Sequence, residues 1–104
     1  MTRDIGQDLH DLEKDLDALP EEVSEALKAW RMATLEREKK EALLYIEYKG
    51  SGLSMTATEI RASINSNSER YGAVLKEVEA ESRYNFLYEK LLAAKKKAGL
   101  RISY

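Results

Sequence analysis

The stretch Tyr48-Lys49-Gly50-Ser51-Gly52-Leu53-Ser54-Met55-Thr56-Ala57-Thr58-Glu59-Ile60-Arg61-Ala62 interrupts a chain whose pattern is otherwise helical. Gly50 and Gly52 are expected to end the preceding helix, because glycine readily adopts the left-handed conformation of a helix C-terminal cap. A long helical pattern lies on each side of this stretch, and no strand pattern is sustained. The sequence therefore predicts an all-α fold: a helical hairpin of two long helices with a short helix at the elbow.

A capping-box pattern begins the short helix. Thr56 is followed three residues later by Glu59, the spacing at which the two side chains satisfy the first backbone amides of a helix. We expect this helix to span about 57–64. Its buried face is predicted to consist of Ala57, Ile60 and Ile64.

Apolar residues three or four apart mark the segment before the elbow as helical: Ile5, Leu9, Leu12, Leu16, Leu19, Val23, Leu27 and Trp30. Pro20 interrupts this rhythm and is followed by two glutamates, which are favoured in the first turn of a helix. The pattern predicts an acidic N-terminal helix over 6–18 and a long helix over 20–49, and leaves open whether the two are continuous in space. The middle of the long helix, with Glu36 and Lys40 paired one turn apart, is expected to be solvated.

The segment after the elbow is predicted to be the second long helix. Ser66 with Glu69 forms another capping box, so we expect a helix over 68–98 that ends at Gly99. Its apolar stripe is predicted to comprise Tyr71, Val74, Leu75, Val78, Asn85, Tyr88, Leu91 and Leu92.

The chain is long enough for one small domain. Its 104 residues are expected to form a single helical domain, 1–104, with an acidic N-terminal arm over 1–19 and a hairpin core over 20–104. A hairpin of this size buries little apolar surface, so we expect it to form a homo-oligomer. The predicted oligomer interface is Trp30, Leu43, Leu44, Ile46, Tyr88, Leu91 and Leu92.

Charge is unevenly distributed along the chain. Residues 1–25 contain two bases and nine acids, whereas residues 26–104 contain fifteen bases and ten acids. Acidic residues are favoured in the N-terminal turns of a helix, so one interpretation of the acidic arm is a solvated helix end. The alternative is an arm that binds a basic partner or covers the protein's own basic surface.

Residues that support catalysis are scarce. The chain has no cysteine, and its one histidine, His10, lies among acids, so no thiolate or catalytic triad is indicated. The Gly50–Gly52 turn lacks the Gly-Lys-Ser/Thr of a phosphate-binding loop. We therefore expect no enzyme activity, no cofactor and no metal site. No apolar run approaches the roughly 20 residues of a membrane span, so no membrane partner is expected either.

Two basic groups are candidates for contact with DNA phosphates: Lys39, Lys40, Lys49 and Arg61 around the elbow, and Lys95, Lys96, Lys97 and Arg101 at the end of the last helix. Three tyrosines, Tyr45, Tyr48 and Tyr84, are candidates for stacking on bases. Single-stranded DNA is commonly held by cations on its backbone and aromatic rings against its bases. Cations also suit a helix C-terminus, and the aromatic side chains could belong to the core, so these structural interpretations stay open.

From Glu36 onward, over about two-thirds of the chain, the layout resembles the UvsY family of phage recombination mediators. The shared features are a charged helix ending in a turn rich in tyrosine and glycine (Tyr45 to Gly52) and a short helix around Glu59-Ile60-Arg61. A last helix follows, with Leu87-Tyr88 and Leu91-Leu92 before a Lys/Ala-rich end.

The resemblance implies a ring-like helical oligomer that binds single-stranded DNA, remodels DNA coated with single-strand-binding protein and helps to load a RecA-like recombinase. It also implies a location in the cytoplasm of a bacterial host. One departure concerns the family's basic positions before the glycine-rich turn, which are Leu44 and Ile46 here. The DNA contact is therefore expected at Lys39, Lys40 and Lys49, or is lost.

A protein-only interaction module is the alternative. Such an adaptor, assembly chaperone or inhibitor would act through the acidic helix 6–18. Deleting residues 1–18 would separate the two hypotheses, because a mediator would keep its DNA affinity and the module would lose its partner.

Overall fold

The protein is an antiparallel helical hairpin. The computed structural model describes residues 5–102, which form three helices: α1 (Ile5–Lys49), α2 (Ala57–Asn65) and α3 (Ser68–Ile102). The long helices α1 and α3 pack against each other in a rod that measures 72 × 25 × 19 Å. The predicted all-α hairpin with a short helix at its elbow is confirmed.

The contact between α1 and α3 follows a seven-residue repeat. Side chains that are buried or half-buried recur at alternating spacings of four and three, which is the pattern of a coiled coil. On α1 they are Leu12, Leu16, Leu19, Val23, Ala26, Trp30, Ala33, Arg37, Lys40 and Leu44. On α3 they are Ala73, Glu77, Ala80, Tyr84, Leu87, Leu91, Ala94 and Ala98.

Two apolar clusters lie at the two ends of the rod. The far cluster, away from the elbow, consists of Leu19, Ala26, Leu87, Leu91 and Ala94, with Leu12, Leu16, Val23 and Tyr84 packed against it. The elbow cluster consists of Leu44, Ile60 and Ile64, with Tyr48 and Met55 packed against it. Because Ile60 and Ile64 are on α2, the elbow cluster folds α2 onto the end of α1. Ala57, which was predicted to share this buried face, is instead exposed.

The N-terminal acidic segment is part of α1, so the predicted helices over 6–18 and 20–49 are continuous in space. Pro20 lies inside the helix, where it cannot donate a backbone hydrogen bond to the carbonyl of Leu16. The helix continues because the side chains on both sides of Pro20, among them Leu16 and Val23, pack against the same cluster. Tertiary burial outweighs the local cost of the proline.

The elbow turn begins at the predicted glycines. The amide of Gly50 donates to the carbonyl of Ile46 at 2.9 Å and closes the last turn of α1. Gly52 has a φ of +80°, and it is the one residue with left-handed backbone among those described. Gly52 is therefore the position in the turn that requires glycine, because a residue with a side chain would be strained there.

The capping side chains agree with the sequence for α2 and differ for α3. The hydroxyl of Thr56 accepts from the amide of Glu59 at 3.2 Å, as predicted. Ser66 instead ends α2, where its hydroxyl donates to the carbonyl of Ala62. Asn67 begins α3 by accepting from the amide of Glu69 at 2.9 Å. The capping role thus falls one residue later than predicted, and α3 runs through Gly99 without ending there.

The predicted apolar stripe of α3 lies largely on the wrong side of the helix. Tyr71, Leu75 and Val78 are exposed, while the side facing α1 carries Ala73 and Glu77 at the same level. The inner face of α3 carries small and charged side chains at this level, so a pattern of large apolar residues does not mark it. Of the predicted set, Leu91 is buried and Val74 is half-buried.

Adjacent leucines on α3 provide a test of this helix orientation. Leu91 is 7% exposed in the far cluster and Leu92 is 47% exposed. We expect Leu91→Ala to lower the free energy of unfolding by about 2–4 kcal/mol, because it leaves a cavity, and Leu92→Ala to lower it by less than about 1 kcal/mol. Chemical denaturation followed by circular dichroism measures both. Equal losses would contradict the orientation of α3.

Candidate nucleic-acid interface at the elbow

A network of ion pairs joins α1 to α3 between the two apolar clusters. Arg37 donates to Glu77 across the hairpin and pairs with Glu41 at 3.1 Å. Arg70 of α3 donates to the same Glu41 at 3.0 Å. The section of α1 that was predicted to be solvated is therefore part of the helix contact.

Lys40 also crosses the hairpin. Its ammonium group lies 2.7 Å from a carboxylate oxygen of Glu69 on α3, so the predicted pair with Glu36 on the same helix is replaced. This pair lies nearer to solvent than the network around Glu41, and surface pairs contribute little to stability.

The network keeps the carboxylate of Glu41 ionised. Burial on its own would raise the pKa of Glu41, but hydrogen bonds from Arg70 and Arg37 outweigh it and lower that pKa below its ordinary value of 4.5. A hydrogen bond from Lys40 lowers the pKa of Glu69 as well. Hydrogen bonds to Glu77 and Glu41 raise the pKa of Arg37, so the charges that join the helices persist at neutral pH.

An open groove of about 500 Å³ lies beside this network at the elbow. All three helices contribute to it: its lining residues are Arg37, Glu41, Tyr45, Ala57, Arg61, Ile64, Asn65 and Arg70. We call this site the elbow groove. Three arginines and one glutamate line it, and Arg61 is exposed and pairs with no carboxylate among the described residues. The groove therefore carries net positive charge.

Tyr45 gives the elbow groove an exposed aromatic ring. Its side chain is 40% exposed, and the ammonium group of Lys49 lies 5.8 Å from the ring centroid. A base that stacked on this ring would lie beside a cation able to reach its phosphate. Tyr45, Lys49 and Arg61 are thus predicted site residues that the structure brings to one end of the rod.

The other two predicted stacking residues have structural roles. Tyr48 is half-buried, packs against the elbow cluster and accepts a hydrogen bond from Asn67 at 3.2 Å. Tyr84 lies on the inner face of α3, with its ring 5.5 Å from that of Trp30 and 5.8 Å from that of Tyr88. Neither lines the elbow groove.

The two predicted basic groups lie at opposite ends of the rod. Lys95, Lys96 and Lys97 are exposed and directly follow Ala94 of the far cluster, about 27 Å along α3 from the level of Glu77 at the helical rise of 1.5 Å per residue. This is the end where the acidic segment of α1 lies. The side chain of Arg101 lies outside the described residues. One protein molecule therefore presents two separate basic regions.

The predicted oligomer interface divides into internal and external residues. Leu44 and Leu91 are buried in the elbow and far clusters, and Trp30 is half-buried against Tyr84. These three side chains make their contacts within the molecule. The remaining four are exposed: Leu43, Ile46, Tyr88 and Leu92.

Sequence reasoning missed Arg37, Glu41 and Arg70, which build the network and line the elbow groove. A signal for Arg37 was available, because it continues the seven-residue repeat that includes Trp30 and Ala33. A charged residue at such a position faces the partner helix and needs a counter-charge there.

Among the described residues, no cluster of histidine, cysteine or carboxylate side chains is able to hold a metal ion. Across residues 5–102, no helix carries an apolar stretch of the length that crossing a bilayer requires.

The fold and site define a small antiparallel coiled-coil hairpin with a basic, tyrosine-containing groove at its elbow. Comparison of the chain with protein-family models, with curated proteins and with solved structures finds no match. Function is therefore inferred from the chemistry of the elbow groove and of the rod's surfaces.

Acid should weaken the helix contact through Glu41. Its folded-state pKa lies below 4.5, so the stability it contributes is present above that pH and is lost as pH falls through the lower folded-state value. We expect Glu41→Gln to cost about 1 kcal/mol at pH 7 and to make the free energy of unfolding less dependent on pH below about 4.5.

The control for this prediction is Glu38→Gln, an exposed position on the same helix. Denaturant unfolding between pH 7 and pH 3 should leave that variant with the wild-type pH profile. Identical profiles for Glu41→Gln and the wild type would show that the network does not join the helices.

Proposed function

We propose that the protein is a non-catalytic, phage-type recombination mediator that binds single-stranded DNA and helps to load a RecA-like recombinase onto DNA coated with single-strand-binding protein. The observation that carries the proposal is the elbow groove, where arginines from three helices surround an exposed tyrosine. This is the combination of cations and a stacking platform that single-stranded nucleic acid requires. The site of action is the cytoplasm of a bacterial host.

Charge and geometry support a phosphate-binding role for the elbow groove. Glu41 neutralises part of the charge of Arg37 and Arg70 and fixes both guanidinium groups in place. Arg61 remains exposed at the groove. Guanidinium groups suit phosphate because their planar donors bind two oxygens at once. In the proposed complex, Arg61 and Lys49 contact phosphates, and Tyr45 stacks on a base.

The remaining basic residues extend the proposed contact. Lys95, Lys96 and Lys97 form a second basic region at the other end of the rod, whereas Lys39 is exposed on α1 outside the elbow groove. One chain has few cations, but several copies held together multiply the contacts with one DNA strand. Homo-oligomerisation is therefore part of the proposed mechanism.

The acidic segment supports a second candidate, a protein-only interaction module. Glu21, Glu22 and Glu25 line an open surface depression on α1 and are exposed. Deleting residues 1–18 is a poor test of this candidate, because Leu12 and Leu16 pack against the far cluster and their loss would weaken the hairpin. Replacing the three exposed glutamates by glutamine removes three of the nine acids of residues 1–25 and leaves the far cluster untouched. Loss of a protein partner with DNA binding intact would favour the module.

Binding to fluorescein-labelled oligo-dT, followed by anisotropy, tests the mediator proposal. We expect the affinity to fall steeply between about 50 mM and about 200 mM salt, because each neutralised phosphate releases a counterion. Arg61→Ala should weaken binding by about tenfold, the loss of one charged contact, and should lower the salt slope by about 0.7.

The matched control is Arg83→Ala, which removes the same charge from an exposed position on α3 outside the elbow groove. It should change the affinity by less than about twofold. Absence of binding at low salt, or equal losses for the two variants, would refute the elbow groove as a DNA site.

A further inference from the structure

Two exposed stripes run along the outer sides of the hairpin. The α1 stripe consists of Lys28, Met32, Leu35, Lys39, Leu43 and Ile46, and the α3 stripe consists of Tyr71, Leu75, Val78, Ser82, Phe86 and Glu89. Both have the spacing four, three, four, four, three, which keeps six residues on one side of a helix. All twelve side chains are exposed.

The two stripes face in opposite directions. Leu35 lies two residues from Arg37, which faces α3, and two residues rotate an α-helix by about 200°. The same relation holds on α3 between Leu75 and the inward-facing Ala73. Each stripe is therefore on the side of its helix that points away from the other helix.

The stripes also lie at the same height along the rod. Trp30 contacts Tyr84, and Arg37 contacts Glu77, so residues 28–43 of α1 run beside residues 71–86 of α3 in the opposite direction. Each apolar stretch, Met32 to Ile46 and Tyr71 to Phe86, is about 21–23 Å long. The hairpin thus has matched apolar surfaces on opposite sides.

The charges on the two stripes are complementary. The α1 stripe includes Lys28 and Lys39 and no acid, whereas the α3 stripe includes Glu89 and no base. When the stripes are aligned in opposite directions, Lys28 falls opposite Glu89 and Ile46 falls opposite Tyr71. Two α1 stripes would instead leave Lys28 and Lys39 with no counter-charge, and two α3 stripes would leave Glu89 with none.

We propose that the α1 stripe of one molecule binds the α3 stripe of a second copy of this chain. Because α1 and α3 are antiparallel within one molecule, this contact places neighbouring copies side by side in the same orientation, with each copy shifted along the rod by about three residues, or roughly 4.5 Å. The contact is heterologous, so each copy keeps one stripe free for the next neighbour. The surface differs from the interface expected from the sequence, since Trp30, Leu44 and Leu91 take no part.

This assembly specifies the oligomer of the proposed function and is measurable without DNA. Neighbours in the same orientation would present their elbow grooves at one end of the assembly, where one DNA strand could pass from groove to groove. An oligomer that forms through the stripes and fails to bind DNA would leave this inference standing and refute the mediator proposal.

Complementation between two variants tests the contact, with masses measured by analytical ultracentrifugation over a range of concentrations. Leu35→Glu blocks the α1 stripe and Leu75→Glu blocks the α3 stripe, while both substitutions are at exposed positions that spare the hairpin core. We expect the wild type to exceed the mass of a dimer, each variant alone to be monomeric, and an equal mixture of the two to form a heterodimer. The heterodimer forms because each variant retains one intact stripe, and it stops there because the two blocked stripes repel each other.

The control is Thr58→Glu, which adds the same charge to an exposed position on α2 and should keep the wild-type mass. Circular dichroism should show equal helix content in all four proteins. A monomeric wild type would overturn the proposal, and the stripes would then be candidate surfaces for a different partner. A mixture that stays monomeric, or a single variant that keeps the wild-type mass, would overturn it too.

Discussion

The ion pair between Arg37 and Glu77 determines which residues of α1 and α3 face each other. Apolar contacts alone permit a coiled coil to slip by one repeat, whereas a charged residue at an inward-facing position requires its counter-charge at one place on the partner helix. Glu41 reinforces the alignment by joining Arg37 to Arg70. The position of Arg70 in the elbow groove and the equal height of the two outer stripes both depend on this register.

The two apolar clusters and the central ion pairs stabilise the rod in different ways. The clusters supply burial at the ends, and the ion pairs supply alignment in the middle. Partly exposed ion pairs contribute little net stability, so their main effect here is on specificity. The elbow groove benefits from this arrangement, because guanidinium groups held by carboxylates are already oriented before a ligand arrives, and preorganised groups bind at lower entropic cost.

Local signals predicted the elbow well, and long-range contacts limited the rest. Thr56 and the glycines act through their immediate neighbours, so the short helix and the turn followed from the sequence. The continuity of α1 through Pro20 depends on α3, and the inner face of α3 uses Ala73 and Glu77, which no apolar pattern marks. For the same reason, Tyr45 and Arg61 were predicted as site residues, while Arg37 and Arg70 emerged only once the helices were paired.

Photo-crosslinking to oligo-dT that contains 5-iodouracil tests most directly whether the elbow groove binds single-stranded DNA, because this base reacts with an aromatic ring stacked against it. Peptide mass spectrometry would then locate the adduct. The account predicts a principal adduct at Tyr45, the exposed ring that lines the elbow groove. Adducts confined to the outer-stripe residues Tyr71 and Phe86, with none at Tyr45, would contradict it.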